Sequence, residues 1–155
     1  MKTPPNDTEQ QPPYELDDHL PYRIAVISNI LQLGRDITIR KITDLGSREL
    51  RVLLNVGTYS PVSAAQIAFQ TKLDSYTVSR GVKTLLNKKL IDKRALPNNK
   101  KEKQLYLTDK GQQLYQQVTA SLHQRDEQLA SFLTQKQRQT LIDSLKKLEL
   151  QAVEL

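Results

Sequence analysis

Several residues and patterns that particular functions require are missing from this sequence. None of its 155 residues is cysteine, which excludes disulfides, thiolate metal sites and cysteine-based redox sensing. It has two histidines, His19 and His123, and neither a glycine-rich phosphate loop nor a Gly-x-Ser-x-Gly elbow. We therefore predict that the chain is not an enzyme and uses no cofactor and no metal. A metal sensor built on His19 with Asp17 and Asp18 is the alternative.

Long apolar runs are missing as well. No run approaches the roughly 20 residues that span a bilayer, and the first residues, Met-Lys-Thr-Pro-Pro-Asn-Asp, lack the apolar core of a signal peptide. We expect a soluble cytoplasmic protein with no membrane partner. Hydrophobic residues make up 37% of the chain, which is modest for a self-contained core, so a partner subunit is expected to supply part of the burial.

Positive charge is abundant and unevenly placed. The net charge is +6 and the sequence pI is about 9.5, values that favour polyanionic partners without identifying them. Residues 1–20 hold one lysine against five acids, whereas residues 74–103 hold nine lysines or arginines against three acids. The basic charge is therefore concentrated on one central segment.

The two ends of the chain have different patterns. Residues 1–15 are rich in Pro, Gln, Asn and acids, a composition typical of a flexible arm. We assign residues 16–44 to an N-terminal dimerisation helix with two apolar stripes, although a helix buried in a monomer core also fits. Residues 109–155 are assigned to C-terminal dimerisation helices, because leucines recur there at steps of four and three. The residues expected at the dimer contact are Ile24, Ile27, Leu31, Leu141, Leu145 and Leu148.

The middle of the chain, residues 47–108, has the pattern of a winged helix-turn-helix. Ser63 and Gln66 have the spacing of a capping box at the start of a short helix, and Asp74 precedes a second helix. Two short strand-like runs, 92–96 and 103–107, then flank a stretch of turn formers. The predicted fold class is mainly α with a small β-hairpin wing, combining this domain with the dimerisation helices at both ends.

Three further small residues mark expected helix ends and contacts. Ser47 is predicted to cap a helix that stops at Gly57. Gly81 lies at the edge of the apolar stripe of the helix after Asp74, and it predicts a close approach to a neighbouring helix, since glycine within a helix costs roughly 1 kcal/mol relative to alanine.

The helix after Asp74 separates its side chains into two faces when projected at about 100° per residue. Val78, Val82, Leu85 and Leu86 form a core-facing stripe. The opposite face is cationic and holds no carboxylate, and its side chains have lengths that reach base edges and phosphates in a major groove. The residues of this recognition helix expected to contact DNA are Ser75, Tyr76, Thr77, Ser79, Arg80, Lys83 and Thr84.

The order of these elements and the local sequence resemble the MarR family of bacterial transcription regulators. The resemblance covers about residues 20–153 and is most specific over Leu73–Arg94 and Leu105–Gly111, which carry the leucine-aspartate, the Ser/Thr-rich turn with valine and arginine, and a Leu-Thr-x-x-Gly exit from the wing. It implies a homodimer that binds a pseudo-palindromic operator of double-stranded DNA, acts as a sequence-specific repressor and is released by a small-molecule ligand.

The resemblance also suggests individual roles. Arg80 is the candidate for a base-edge contact. The wing and its flanks would contribute Arg94, Asn98, Asn99, Lys100, Lys101 and Lys103. A solvated surface charge is the alternative for any single lysine. The domain could also be a protein–protein interaction module without DNA readout, but such a module has no need for a recognition face free of acids.

The sequence departs from the family pattern at three places, two single residues and one run of three. Lys72 and Lys89 stand where the family usually has glycine. If the left-handed backbone is kept, each lysine costs about 1 kcal/mol in strain and adds a charge near the phosphates. Asn98-Asn99-Lys100 replaces an acid-acid-arginine run, so the wing is expected to supply charge more than base readout.

A small aromatic effector is implied only by the resemblance. The polar residues that could line its pocket are Tyr22, Arg23, Tyr59 and Tyr115, chosen because they lie on helices next to the expected site. Ordinary packing or surface exposure is the better interpretation of these four residues.

Overall fold

The computed structural model describes residues 15–154, except for the side chain of Lys100. The predicted arm over residues 1–15 therefore falls outside the described residues apart from Glu15, as does Leu155 at the other end. The described chain forms six helices and one antiparallel hairpin. In chain order these are α1 (Leu20–Ile39), α2 (Ser47–Tyr59), α3 (Ala64–Thr71), α4 (Ser75–Asn87), β1 (Ile91–Leu96), β2 (Asn99–Leu107), α5 (Asp109–Ala130) and α6 (Gln135–Glu154).

Helix α1 crosses the division between two compact units, one that ends at Gly34 and one that begins at Arg35. In the first unit α1 exposes large apolar side chains on both of its predicted stripes, among them Ile27, Ile30 and Leu33. In the second unit its last residue, Ile39, is fully buried. None of the described helices is long and apolar enough to cross a membrane.

The core of the second unit is built where α2, α4, the hairpin and α5 meet. Its members share nearly complete burial: Ile39, Leu50, Val52, Leu53, Val56, Val62, Ile67, Val78, Val82, Leu85, Leu90, Ile91, Leu105 and Val118. Three residues of the predicted stripe of the recognition helix are in this set, and the fourth, Leu86, packs against it half-buried. This burial fixes which face of α4 points outward.

Two predictions about helix α2 are wrong. Its N-cap residue is Gly46, whose backbone is extended and which provides no side-chain cap, so Ser47 is the first helical residue instead of the cap. Gly57 does not end α2, which continues to Tyr59. A Cβ at Gly57 would lie 2.3 Å from ring atoms of Tyr115. The glycine therefore allows α5 to pack closely on α2 and does not end the helix.

Three other helices begin at side-chain caps, including the predicted ones at Ser63 and Asp74. Ser63 and Gln66 form the full capping box of α3, with Gln66 N–H donating to Ser63 Oγ at 3.2 Å and Ser63 N–H donating to Gln66 Oε1 at 2.8 Å. Asp74 caps α4. Thr108 caps α5 by accepting from Gly111 N–H at 3.0 Å, and its hydroxyl donates to the Lys89 carbonyl at 2.7 Å.

The predicted close approach at Gly81 is also confirmed, and Gly111 provides a tighter one. A Cβ at Gly81 would lie 2.9 Å from Val52 Cγ2 and 3.3 Å from Arg48 Cγ, so the glycine lets α4 pack against α2. At Gly111 a Cβ would lie 1.8 Å from the carbonyl oxygen of Leu90. The first turn of α5 is thus seated directly on the backbone that follows α4.

The hairpin differs from its prediction in where the second strand begins. The turn contains Pro97 and Asn98, and β2 starts at Asn99, so the stretch expected as a loop belongs mostly to the strand. Ala95 pairs with Lys103 but Leu96 pairs with Asn99, which leaves residues 100–102 of β2 in a bulge without partners on β1. Bulges of this kind bend and twist a strand. This one consists of Lys100, Lys101 and Glu102, which the sequence analysis had assigned to the turn.

Lys72 and Lys89 both keep the left-handed backbone that glycine usually adopts. Their φ angles are 55° and 57°, and they are the non-glycine residues with positive φ in the described chain. Lys72 follows α3 as its C-cap, and Lys89 lies in the turn between α4 and β1. Each of these two turns therefore has backbone strain of about 1–2 kcal/mol, and each has a cationic side chain where the family has glycine.

Candidate nucleic-acid interface

The N-terminus of α4 is fixed by the Asp74 carboxylate. It accepts from Thr77 N–H at 2.8 Å and from the Thr77 hydroxyl at 2.6 Å. The side-chain hydrogen bond from Thr77, followed by the backbone one, holds the pKa of Asp74 below its ordinary value of 3.8. Asp74 therefore stays ionised at neutral pH, where a negative charge also interacts favourably with a helix N-terminus.

The outer face of α4 carries the cationic side chains in the predicted arrangement. Tyr76 is 70% exposed, and Ser75, Ser79, Arg80 and Lys83 are exposed as well. No Asp or Glu occurs between Ser75 and Asn87. A phosphate or an electronegative base edge approaching this face meets only cations and neutral polar groups.

Two of the predicted contact residues are engaged by the helix itself. The Thr77 hydroxyl donates to Asp74, and the Thr84 hydroxyl donates to the Arg80 carbonyl at 3.1 Å. Both threonines are half-buried. Their hydroxyl protons are committed to these bonds, so either side chain could offer an incoming base only an acceptor lone pair or its methyl group.

Tyr76 and Arg80, one turn apart, contact each other. The guanidinium carbon of Arg80 lies 5.6 Å from the centre of the Tyr76 ring, and Arg80 Nη1 donates to the Tyr76 hydroxyl at 3.4 Å. This cation–π contact keeps a long, flexible side chain over the exposed face. Part of the conformational entropy of ordering Arg80 is thus lost before any ligand binds.

Lys93 is a candidate residue that the sequence analysis missed. It lines the same groove as Ser79, Lys83 and Asn87, beside α4. Strand residues alternate between faces, and Lys93 is two residues after the buried Ile91. That alternation was the available signal, because it puts Lys93 and not Arg94 on the side of the recognition helix.

Arg94 occupies the other face of the hairpin. Its guanidinium carbon lies 4.7 Å from the centre of the Tyr106 ring, and its Nε lies 3.6 Å from Asp92 Oδ2. It lines a separate cavity with Gly57 and Gln112, at the base of the wing. The remaining wing residues, Asn98, Asn99, Lys101 and Lys103, are exposed at or near the tip. Asn99 Oδ1 accepts from the backbone N–H groups of residues 101 and 102, which stabilises the bulge.

The residues proposed for an effector pocket are distributed over both compact units. Tyr22 and Arg23 are exposed on the first unit. On the second unit Tyr59 is exposed, while the half-buried Tyr115 packs its ring on Gly57 and shares a hydrogen bond of 3.0 Å with the Thr58 hydroxyl. The packing alternative accounts for Tyr115. The pocket itself stays a prediction.

The structure brings three residues of metal-binding types together on α5, and not at His19, where the sequence analysis placed the alternative metal site. His123, Asp126 and Glu127 on α5 have donor atoms within 4.8 Å of one another, and all three side chains are exposed. Arg138 of α6 contacts both carboxylates, those of Asp126 and Glu127. Because this guanidinium already forms ion pairs with both carboxylates, we interpret the group as an ion-pair cluster that joins α5 to α6.

Comparison with known families supports the assignment of this fold. A model of the MarR family matches residues 43–102, which span α2 through the start of β2. A solved MarR/EmrR family transcriptional regulator from Acinetobacter sp. ADP1 is 27% identical, covers 92% of this chain and 100% of its own, and has a TM-score of 0.84. Residues 43–102 therefore match the MarR family, and the described chain shares the fold of a MarR/EmrR family transcriptional regulator.

Two further MarR-type structures contain DNA. A MarR family transcriptional regulator from Listeria monocytogenes, complexed with a 26mer DNA, is 28% identical over 88% of this chain and 90% of its own, with a TM-score of 0.81. The MepR–DNA complex from S. aureus shares the fold at 20% identity, covering 86% of this chain and 97% of its own, with a TM-score of 0.76. Comparison with curated protein sequences gives no match.

Proposed function

We propose that this protein is a MarR-family, sequence-specific DNA-binding regulator that inserts α4 into the major groove. The observation that carries the proposal is the exposed, carboxylate-free face of α4, whose start is fixed by the Asp74 cap. The similarity to the Listeria regulator complexed with DNA supports it. Arg80 would contact base edges, and Lys83, Lys93 and the wing lysines would contact phosphates.

The proposed DNA-binding form is a homodimer. Exposed apolar side chains support it on both helices predicted to dimerise: Ile24, Ile27 and Leu31 on α1, and Leu141 and Leu145 on α6, with Leu148 half-buried. Apolar surface that lies together on such helices is typical of protein–protein contacts. A two-fold dimer requires a DNA site with matching inverted repeats, spaced about one helical turn apart.

Selection of bound duplexes from a random library tests this function. We expect an inverted repeat to be enriched, and its affinity to fall steeply between 50 and 200 mM salt, because each neutralised phosphate releases counterions. Sedimentation of the free protein should give the mass of a dimer. A chain that selects no sequence, or binds every duplex equally, would favour the alternative of a protein-interaction module.

The wing is proposed to supply charge and not base readout. Replacing Lys100 and Lys101 together by alanine should weaken binding to every duplex alike, by roughly tenfold, and reduce the slope of log affinity against log salt by about two. The measurement is a salt titration on the selected site and on an unrelated duplex. A changed base preference in this variant would mean that the wing reads sequence.

Repression and release by a small molecule complete the proposal. A dimer bound across a promoter would block transcription, and an aromatic effector would release it by changing the separation of the two recognition helices. Such a regulator would act in the cytoplasm, on chromosomal DNA. Locating the selected sites relative to promoters distinguishes a repressor from an activator.

A further inference from the structure

An exposed aromatic ring and a lysine form a pair at the end of α3, outside the recognition helix. Phe69 is 75% exposed, and the ammonium of Lys72 lies 4.4 Å from the centre of its ring. Neither residue belongs to the core. Lys72 has a left-handed backbone with φ 55° and ψ 26°, a conformation in which lysine lowers stability relative to glycine.

The position of this pair follows from how a helix-turn-helix docks. The recognition helix enters the groove with its N-terminal residues, and the helix before it crosses the DNA backbone. Lys72 lies in the turn between α3 and α4, next to the start of the recognition helix. On DNA bound in this way, Lys72 would face the sugar–phosphate strand beside the groove and Arg80 would face the bases.

The charge around this pair also favours a phosphate. Neither α3 nor α4 contains an Asp or Glu. The acid in the turn is Asp74, and its carboxylate is occupied by two hydrogen bonds from Thr77 at the N-terminus of α4. The Phe69 ring limits the conformations of the Lys72 side chain, so less entropy is lost when the ammonium binds an anion.

We propose that Lys72 binds a backbone phosphate of the DNA and that Phe69 is the positioning residue that holds its ammonium in place. The inference rests on the proposed DNA-binding function and adds a contact outside the recognition helix and the wing. Because phosphates carry no sequence information, this contact strengthens binding to every duplex and sets the orientation of α4 in the groove.

The test uses Lys72→Gly, which removes the side chain while suiting the left-handed backbone. We expect an unchanged or higher melting temperature, a loss of affinity of about three- to tenfold on all duplexes, and a salt slope reduced by about one. Lys89→Gly is the matched control. It has the same change in charge and the same backbone geometry, but lies beyond the C-terminal end of α4, about 20 Å from the N-terminal end that is proposed to enter the groove. We therefore place Lys89, unlike Lys72, away from the phosphates, contrary to the expectation from the family pattern. Lys89→Gly should leave the slope unchanged.

Phe69→Leu tests the positioning role, because it keeps an apolar side chain and removes the aromatic face. It should lower affinity in the wild-type background and have no further effect in the Lys72→Gly background. Three results would each overturn the inference. The first is an equal salt slope for Lys72→Gly and the wild type, and the second is an equal change in DNA affinity for the two glycine variants. The third is a loss of affinity in Phe69→Leu that persists in the Lys72→Gly background. A wild-type protein that binds no duplex would overturn the proposed function as well.

Discussion

Arg80→Ala is expected to lower affinity for the selected operator by roughly 10- to 100-fold and to relax base preference at one position of each half-site. A bidentate contact between arginine and a guanine is worth about 1–3 kcal/mol of discrimination. Arg80 is exposed and already held over the Tyr76 ring, so the loss should appear in DNA binding and not in stability. Affinity measured on the operator and on single-base variants checks it.

Arg80→Lys is the matched control for charge. It keeps the cation but loses the planar fork that makes two parallel hydrogen bonds, so binding to unrelated duplexes should change little while base preference is still lost. The melting temperatures of both variants should match the wild type. If Arg80→Ala retains full affinity and an unchanged base preference, our assignment of the recognition face is wrong.

Gly111→Ala is expected to be the most destabilising single methyl addition to this chain. The new Cβ would lie 1.8 Å from the Leu90 carbonyl oxygen and 2.8 Å from its carbonyl carbon. These are backbone atoms that cannot rotate away, so the first turn of α5 must move. Overpacking of this severity costs about 3 kcal/mol, which corresponds to roughly 10 °C in melting temperature for a chain of this size.

Gly46→Ala makes the matching control, because its Cβ would also approach another atom closely. That atom is Glu49 Oε2, 2.8 Å away at the end of a flexible side chain, which can move at little cost. We expect its melting temperature to stay within a few degrees of the wild type. If Gly111→Ala were equally mild, the contact between α5 and the Leu90 backbone would be looser than described.

The features that the sequence predicted correctly are those determined by neighbouring residues. Ser63 and Asp74 cap their helices because a side-chain oxygen two to three residues before an orphan N–H is sufficient. The faces of α4 followed from spacing alone. The left-handed turns at Lys72 and Lys89 were left open by the sequence, because the glycines of the family pattern favour them and the lysine residue type argues against them.

The features that the sequence did not predict depend on distant contacts. A glycine near a helix end indicates a stop or a close approach equally well, and at Gly57 the Tyr115 ring, 58 residues later, decides between them. The bulge at residues 100–102 arises from pairing with β1. Local composition carries neither piece of information. The faces of β1, which separate Lys93 from Arg94, are different, because the alternation of strand residues from the apolar Ile91 was a local signal that the sequence analysis did not use.

The junction between α4 and α5 has a mechanical consequence for a dimer. The Thr108 hydroxyl donates to the Lys89 carbonyl, the Lys110 ammonium donates to the Lys88 carbonyl at 3.2 Å, and Gly111 sits on the Leu90 backbone. These contacts make α4 a lever pivoted on the first turn of α5. A tilt of about 5° at this pivot displaces the N-terminal end of α4, about 20 Å away, by about 2 Å. That distance exceeds what a hydrogen bond to a base tolerates, so a small rotation of α5 would be enough to break the base contacts proposed for this end of α4.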